Sequence, residues 1–322
     1  MRVSVSDDYQ GVVASLDCFS RLAEHEVTVY RAVLTDVNAL ADRFRDTEAL
    51  VLIRERTRMP RQLVERLPAL RLIAQTGCGI PHIDLDACTE RGIAVAVGDG
   101  SPVAPAELTW GLVLAARRHI PLETAAVRAG LWQTTVGSEL AGATLGIYGY
   151  GSIGALVARY GRAFGMRVTA TGREGSVARA TADGVETVSR DALFAEADVL
   201  SLHLKLSDET RGIVTAADLA SMKPAALLVN TARAGLIEPG ALSLALAQGR
   251  PGFAAVDVFD QEPVPDDDPL IARENALCTP HLGYVTRESY EAYFGQAFDQ
   301  INAFAAGQPV GVVNPDALGR IP

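Results

Sequence analysis

The segment Gly149-Tyr150-Gly151-Ser152-Ile153-Gly154 restricts the possible folds of this chain more than any other. It follows the strand-like run Leu145-Gly146-Ile147-Tyr148 and opens a helix-like run beginning Ser152-Ile153-Gly154-Ala155. Strand, glycine turn and helix in that order form the first crossover of a doubly wound parallel sheet. Gly149 permits the tight turn, Gly151 lets backbone approach a pyrophosphate, and Gly154 lets helix and strand pack closely. The helix N-terminus favours negative charge, so the turn is a candidate dinucleotide site.

The rest of the chain agrees with such a sheet. Strand-like runs at residues 3–6, 27–30, 49–53, 70–74 and 93–96 alternate with amphipathic stretches such as 39–46 and 60–67. Gly98-Asp99-Gly100-Ser101-Pro102 breaks the pattern, and a long, mostly apolar helix is predicted over 105–118. Six further strands fall at 144–148, 167–171, 199–204, 226–230, 252–258 and 276–279. Helices are expected between them at 153–164, 191–195, 216–220 and 239–248, with a last one at 287–306. The expected class is α/β, with two doubly wound parallel-sheet domains. A Rossmann cofactor domain, residues 101–284, is inserted into a flavodoxin-like substrate domain of residues 1–100 plus 285–322. Two linkers then make one hinge, with the substrate in the cleft.

Composition narrows the function. A chain of 322 residues with 48% hydrophobic and 21% charged residues can build two full cores. No apolar run is long enough for a membrane span, and the N-terminus reads as a strand rather than a secretory signal. A formal net charge of −10 disfavours nucleic acid as a partner. Cys18, Cys78, Cys88 and Cys278 lack zinc-type spacing, and the five histidines are scattered. No metal site is expected, and a reducing, cytoplasmic setting is.

Three separate segments then bring chemistry to strand ends: Val229-Asn230-Thr231-Ala232-Arg233, Asp257-Val258-Phe259-Asp260-Gln261-Glu262-Pro263 and Thr279-Pro280-His281-Leu282-Gly283. Catalytic groups collect at the carboxyl ends of parallel strands. Reduction of a 2-oxo acid needs a planar cation for the carboxylate, which Arg233 offers. It also needs an acid for the carbonyl oxygen; histidine is the side chain most often used for that, so His281 is the candidate, with Glu262 available to orient it. Asp257 is placed to accept from a nicotinamide carboxamide. Taken singly, each has a bland alternative as a surface arginine, an acidic turn or a buried histidine. After three successive strands of one sheet, the set points to catalysis.

The second strand of the cofactor domain should end at the adenosine ribose, where an NAD enzyme usually carries a carboxylate. This chain has Gly172 and then Arg173, followed by Glu174. The missing carboxylate and the added guanidinium favour NADP, with NAD the alternative.

These segments are similar to those of the D-isomer-specific 2-hydroxyacid dehydrogenase family, and the resemblance covers nearly the whole chain. Residues 139–146, 197–204 and Met222-Lys223-Pro224 also carry it. It implies Arg233, Glu262 and His281 as the catalytic triad. Ser152, Ile153, Gly172, Thr231, Ala232, Asp257 and Gly283 are implied as cofactor contacts beside Gly149, Gly151, Gly154 and Arg173. The loops Ile53-Arg54-Glu55-Arg56-Thr57 and Gln75-Thr76-Gly77-Cys78-Gly79-Ile80 match the family's substrate loops. Backbone N–H groups near Cys78 and Gly79 are expected to hold the substrate carboxylate, and Arg54 to reach its far end.

Some positions depart from the family pattern. Ala234 replaces a usual glycine, Lys205 a usual proline and Ala143 a frequent lysine, while Cys78 stands where a small apolar residue is common. Glu262 argues against formate dehydrogenase activity, and no regulatory domain is expected beyond residue 322. The reading is an NAD(P)-dependent oxidoreductase acting on a small 2-oxo or 2-hydroxy acid. The alternatives are a dinucleotide-sensing corepressor-like protein or a phosphoglycerate dehydrogenase of serine synthesis. Residues 105–118 and 122–132 offer apolar surface beyond one domain's needs, and the resemblance implies a homodimer through them.

Overall fold

Short runs of small and β-branched residues pair in parallel as β1 (Arg2–Val5), β2 (Glu26–Val29), β3 (Ala49–Leu52), β4 (Leu72–Gln75) and β5 (Ala94–Val97). Their order is β2-β1-β3-β4-β5, the flavodoxin-like arrangement. β3 and β4 are buried along their whole length because elements cover both faces. Asp36 and Asp84 cap the helices Val37–Arg43 and Leu85–Glu90 by accepting from the backbone N–H groups of Ala39 and Ala87. Asn314 closes the β5 edge, accepting from the Val95 N–H at 2.7 Å and donating to the Ile93 carbonyl at 2.9 Å. The computed structural model describes residues 1–320, and these strands belong to a unit made of Met1–Ser101 and the chain from Thr286 onward. The helix Arg287–Ala305 contributes Phe294, Phe298 and Ile301 to its core.

The second unit, Pro102–Val285, holds β6 (Thr144–Tyr148), β7 (Arg167–Thr171), β8 (Glu186–Thr187), β9 (Val199–Leu202), β10 (Leu227–Asn230), β11 (Phe253–Val256) and β12 (Ala276–Cys278). All pair in parallel, in the order β12-β11-β10-β9-β6-β7-β8. Strand order reverses at β6, which leaves a crevice at the carboxyl ends beside it. The sheet has seven strands where six were expected. β8 is two exposed residues with no apolar alternation to reveal them.

A helix at Glu174–Ala182 is also absent from the sequence reading. It buries only Ser176 and Ala180, too little apolar surface for a helical period to register. The apolar helix expected at 105–118 spans Val103–Arg117 and buries Trp110, Leu112, Val113 and Ala116 in its own unit. The Trp110 indole donates to the Val157 carbonyl at 3.1 Å. This helix therefore leaves little apolar surface over. The surplus lies just after it, on Ile120, Leu122, Val127, Leu131, Trp132 (77% exposed) and Val136 (93% exposed). Among the described residues no helix is long and apolar enough to cross a membrane.

Each unit holds one half-buried histidine whose pKa is lowered to about 4, chiefly by desolvation. Among the described residues neither His82 ring nitrogen has a partner, and both are sealed from solvent. His203 Nε2 lies 2.8 Å from Ser201 Oγ. Both rings stay neutral in the folded chain at pH values where an unfolded imidazole, with a pKa of about 6.5, is protonated. Between about pH 6.5 and 4 the unfolded chain thus binds more protons. Stability is complete above that window and declines as pH falls through it, by at most roughly 1.4 kcal/mol per pH unit for each histidine. Urea midpoints between pH 7 and 4.5 test this: His82→Gln and His203→Gln should each flatten the decline, and a slope unchanged by either refutes the assignment.

Candidate active site and dinucleotide turn

Because β10, β11 and β12 are adjacent and parallel, with Asn230, Val256 and Cys278 in register, the three segments that follow them leave the same sheet edge. The turn after β10 is shaped by Asn230. Its Oδ1 accepts from the Ala232 N–H at 3.1 Å, and its Nδ2 donates to the Arg233 carbonyl at 2.9 Å. Arg233 is half-buried, and Nη1 donates to the Ala232 carbonyl at 2.7 Å. Thr109 Oγ1 donates to the Pro105 carbonyl, so the 2.8 Å contact between Thr231 and Thr109 has the Thr231 hydroxyl as donor.

Asp257 differs from its expected part. It is fully buried, and its carboxylate turns into the loop that carries His281. Oδ1 accepts from the Thr279 hydroxyl at 2.6 Å and the Leu282 N–H at 2.7 Å; Oδ2 accepts from the Gly283 N–H at 2.9 Å. Burial raises its pKa, against the lowering effect of these three bonds. A side chain without exposed surface offers nothing to a carboxamide unless that loop moves. Its present role is to fix residues 279–283, and Gly283 meets it through its own N–H.

That fixed loop holds His281 in the left-handed region, at φ 52°, with its N–H donating to the Thr279 carbonyl at 3.0 Å. Glu262 is fixed from the other side, since its Oε1 accepts from the Phe259 N–H at 3.0 Å. The two meet at 2.7 Å, Glu262 Oε2 to His281 Nδ1. The Tyr284 ring packs edge-on against the imidazole, 5.3 Å between centroids. Nδ1 is thereby committed to the carboxylate. Nε2 has no partner among the described residues and is not sealed from solvent.

The glycine turn lies between β6 and the helix Ser152–Ala163. Gly149 has φ +100°, and a Cβ there would lie 2.7 Å from the His203 carbonyl oxygen. A Cβ on Gly154 would collide with the Gly149 carbonyl, whereas nothing lies within 4 Å of one on Gly151. The turn is thus closed against its own unit and open at Gly151, as a cradle for a pyrophosphate requires. Ser152 and Ile153 begin the helix, so their N–H groups are among those left without intrahelical partners.

Tyr150, between the glycines, is buried and straps the turn to the unforeseen helix Glu174–Ala182. Its N–H donates to Ser176 Oγ at 2.5 Å, its carbonyl accepts from Arg179 Nε at 3.1 Å, and its hydroxyl donates to Asp183 at 2.9 Å. Burial first, then Asp183, pushes the phenol's pKa up to about 12. Gly172 follows β7, and a Cβ there would lie 2.7 Å from Ser176 Oγ. A side chain at 172 would therefore crowd Ser176. Arg173 is exposed and pairs with Glu209 at 2.6 Å, rather than with its neighbour Glu174. The contacts of Ser176 and Arg179 with Tyr150, and of Glu209 with Arg173, left no trace in the sequence, because folding alone brings these residues together.

In the first unit, Gln75 joins the loops after β3 and β4, its Nε2 donating to the carbonyls of Arg54 and Gly79 at 3.0 Å each. Arg54 adopts φ 53°, its N–H donates to Thr76 Oγ1 at 2.8 Å, and its guanidinium lies over the Tyr293 ring. Cys78 is an exposed free thiol, and Gly79 sits close to the Glu55 carboxylate. Arg54, Cys78 and Gly79 thus share one end of this sheet. In sequence Gln75 reads as the first residue of the loop after the fourth strand, and its bridge to the Arg54 loop shows only in the fold.

Residues 110–283 match the family model described as D-isomer specific 2-hydroxyacid dehydrogenase, NAD binding domain. Over 275 residues the chain is 39% identical to D-3-phosphoglycerate dehydrogenase of Methanocaldococcus jannaschii, covering 84% of this chain and 52% of that one. It therefore spans about half the length of that relative. It is 37% identical to glyoxylate reductase of Aeropyrum pernix over 290 residues, covering 87% and 86% of the two chains. The crystal structure of an oxidoreductase from Ralstonia solanacearum superposes with a TM-score of 0.97 at 54% identity, covering 98% of each chain. With matching sheets, glycine turn and strand-end segments, the chain belongs to the D-isomer-specific 2-hydroxyacid dehydrogenase family.

Proposed function

We propose that this chain is an NAD(P)-dependent oxidoreductase interconverting a small 2-oxo acid and the D-2-hydroxy acid. One observation carries the reading: Glu262 holds His281 Nδ1 at 2.7 Å and leaves Nε2 accessible. The nicotinamide cofactor supplies or accepts the hydride. The chain supplies the proton and the compensating charge. In reduction, negative charge grows on the carbonyl oxygen and the His281 Nε2–H gives it a proton; in oxidation the same nitrogen takes the proton back. Glu262 keeps the ring oriented and balances its charge in the donating state. Arg233 pairs with the substrate carboxylate through its planar fork.

The residues of the second unit fit the cofactor. Gly149, Gly151, Gly154, Ser152 and Ile153 would hold the pyrophosphate, Gly172 and Arg173 would face the ribose, and Thr231 and Ala232 would border the nicotinamide half. With no carboxylate at the end of β7 and Arg173 beside it, NADP is the favoured form. Arg54 and the backbone of Cys78 and Gly79 are assigned to the substrate. The four cysteines are unpaired, which suits a reducing cytoplasm. The test is turnover, followed by cofactor absorbance, of glyoxylate, pyruvate, hydroxypyruvate and 3-phosphohydroxypyruvate with each reduced cofactor. Binding of dinucleotide without turnover of any 2-oxo acid would sink the enzyme reading.

The exposed apolar side chains from Ile120 to Val136 favour an isologous homodimer, the commonest symmetric assembly. Sedimentation at micromolar concentration should give twice the chain mass. Trp132→Asp with Val136→Asp should shift it to monomer, and a monomeric wild type refutes the assembly.

A further inference from the structure

We propose that Arg179 is a second determinant of cofactor choice, binding the adenosine ribose 2′-phosphate together with Arg173. The inference rests on the NADP reading above. Arg179 lies in the middle of the helix Glu174–Ala182, six residues beyond Arg173, and nothing in the sequence marks it. In the structure its side chain folds back along the helix. Nε donates to the Tyr150 carbonyl inside the glycine turn, and Nη1 lies 3.7 Å from where a Cβ on Gly175 would sit. The guanidinium is thus held between the pyrophosphate turn and the first turn of the helix that follows β7. In a Rossmann unit that is where the ribose hydroxyls arrive.

Holding the Tyr150 carbonyl uses one of five donors. Nη1 and Nη2 have no hydrogen-bond partner among the described residues, and Arg179 is an exposed residue. Arg173 is the N-cap residue of the same helix, which has no side-chain cap to compete with an anion for its N–H groups. Its pairing with Glu209 is highly exposed on both sides, and such pairs contribute little. A phosphate dianion can displace Glu209 and gain two guanidinium partners. Tyr150 also anchors the helix through Ser176 and Asp183, so the cradle persists without Arg179.

The test uses the whole chain and measures binding of adenosine 2′,5′-bisphosphate and of 5′-AMP by calorimetry. Charge-assisted hydrogen bonds distinguish ligands by about tenfold or more, so wild type should prefer the bisphosphate by at least that factor. Arg179→Gln keeps a donor for the Tyr150 carbonyl but removes the charge. It should cut the preference by about tenfold while leaving 5′-AMP affinity unchanged, and Arg179→Lys should retain part of it. If wild type shows no preference, the NADP reading falls and this inference with it. If wild type prefers the bisphosphate and Arg179→Gln keeps the full ratio, the NADP reading stands and Arg179 is excluded. An equal loss for both ligands in Arg179→Gln also overturns the inference, assigning Arg179 to the turn alone.

Discussion

His281→Ala should lower kcat for 2-oxo acid reduction by about 10²–10⁴-fold, the usual contribution of a positioned general acid. Dinucleotide affinity should stay near that of wild type. The expectation comes from how the ring is held. Asp257 fixes the loop through the N–H groups of Leu282 and Gly283 and the hydroxyl of Thr279, none of which depends on the imidazole. Removing the ring therefore deletes the proton donor and leaves the loop's own bonds in place. Dinucleotide titration by fluorescence and single-turnover kinetics separate the two effects. Full activity in the alanine variant would remove His281 from the chemistry. A parallel loss of dinucleotide binding would make it a structural residue.

Arg233→Lys should lower kcat/KM for the oxo acid by about 10–100-fold, the difference between a charge-assisted fork and a point charge that cannot reproduce it. The turn that presents residue 233 is made by Asn230, through the Ala232 N–H and the residue-233 carbonyl. Both are backbone groups, so the substitution leaves the turn intact. Thermal unfolding of the lysine variant should match wild type, and dinucleotide affinity should hold. Wild-type kcat/KM would mean that Arg233 is structural. Asn230→Ala is the informative contrast, because it should disturb activity and stability together.

The sequence by itself determined what local chemistry determines. Alternation of buried strands with amphipathic helices required two parallel-sheet units, and a glycine turn between strand and helix marked β6 and the helix after it. The strand-end positions of Arg233, Glu262 and His281 were likewise legible, because each segment follows a short apolar run of strand character. Short or exposed elements left no such mark: β8 has two residues, and the helix Glu174–Ala182 buries only two.

Only the tertiary structure decided the partners. Glu262 and His281 are nineteen residues apart, and their 2.7 Å contact exists because β11 and β12 are neighbours. The same adjacency turned Asp257 inward, to the N–H groups of a loop 25 and 26 residues later. Arg173 met Glu209 from a distant loop instead of the adjacent Glu174, and Arg179 reached the glycine turn only because its helix packs there. Propensity and periodicity act over a few residues and so are written along the chain. Hydrogen-bond partners are chosen among groups that folding brings within about 3 Å, and that choice is made by sheet order and packing.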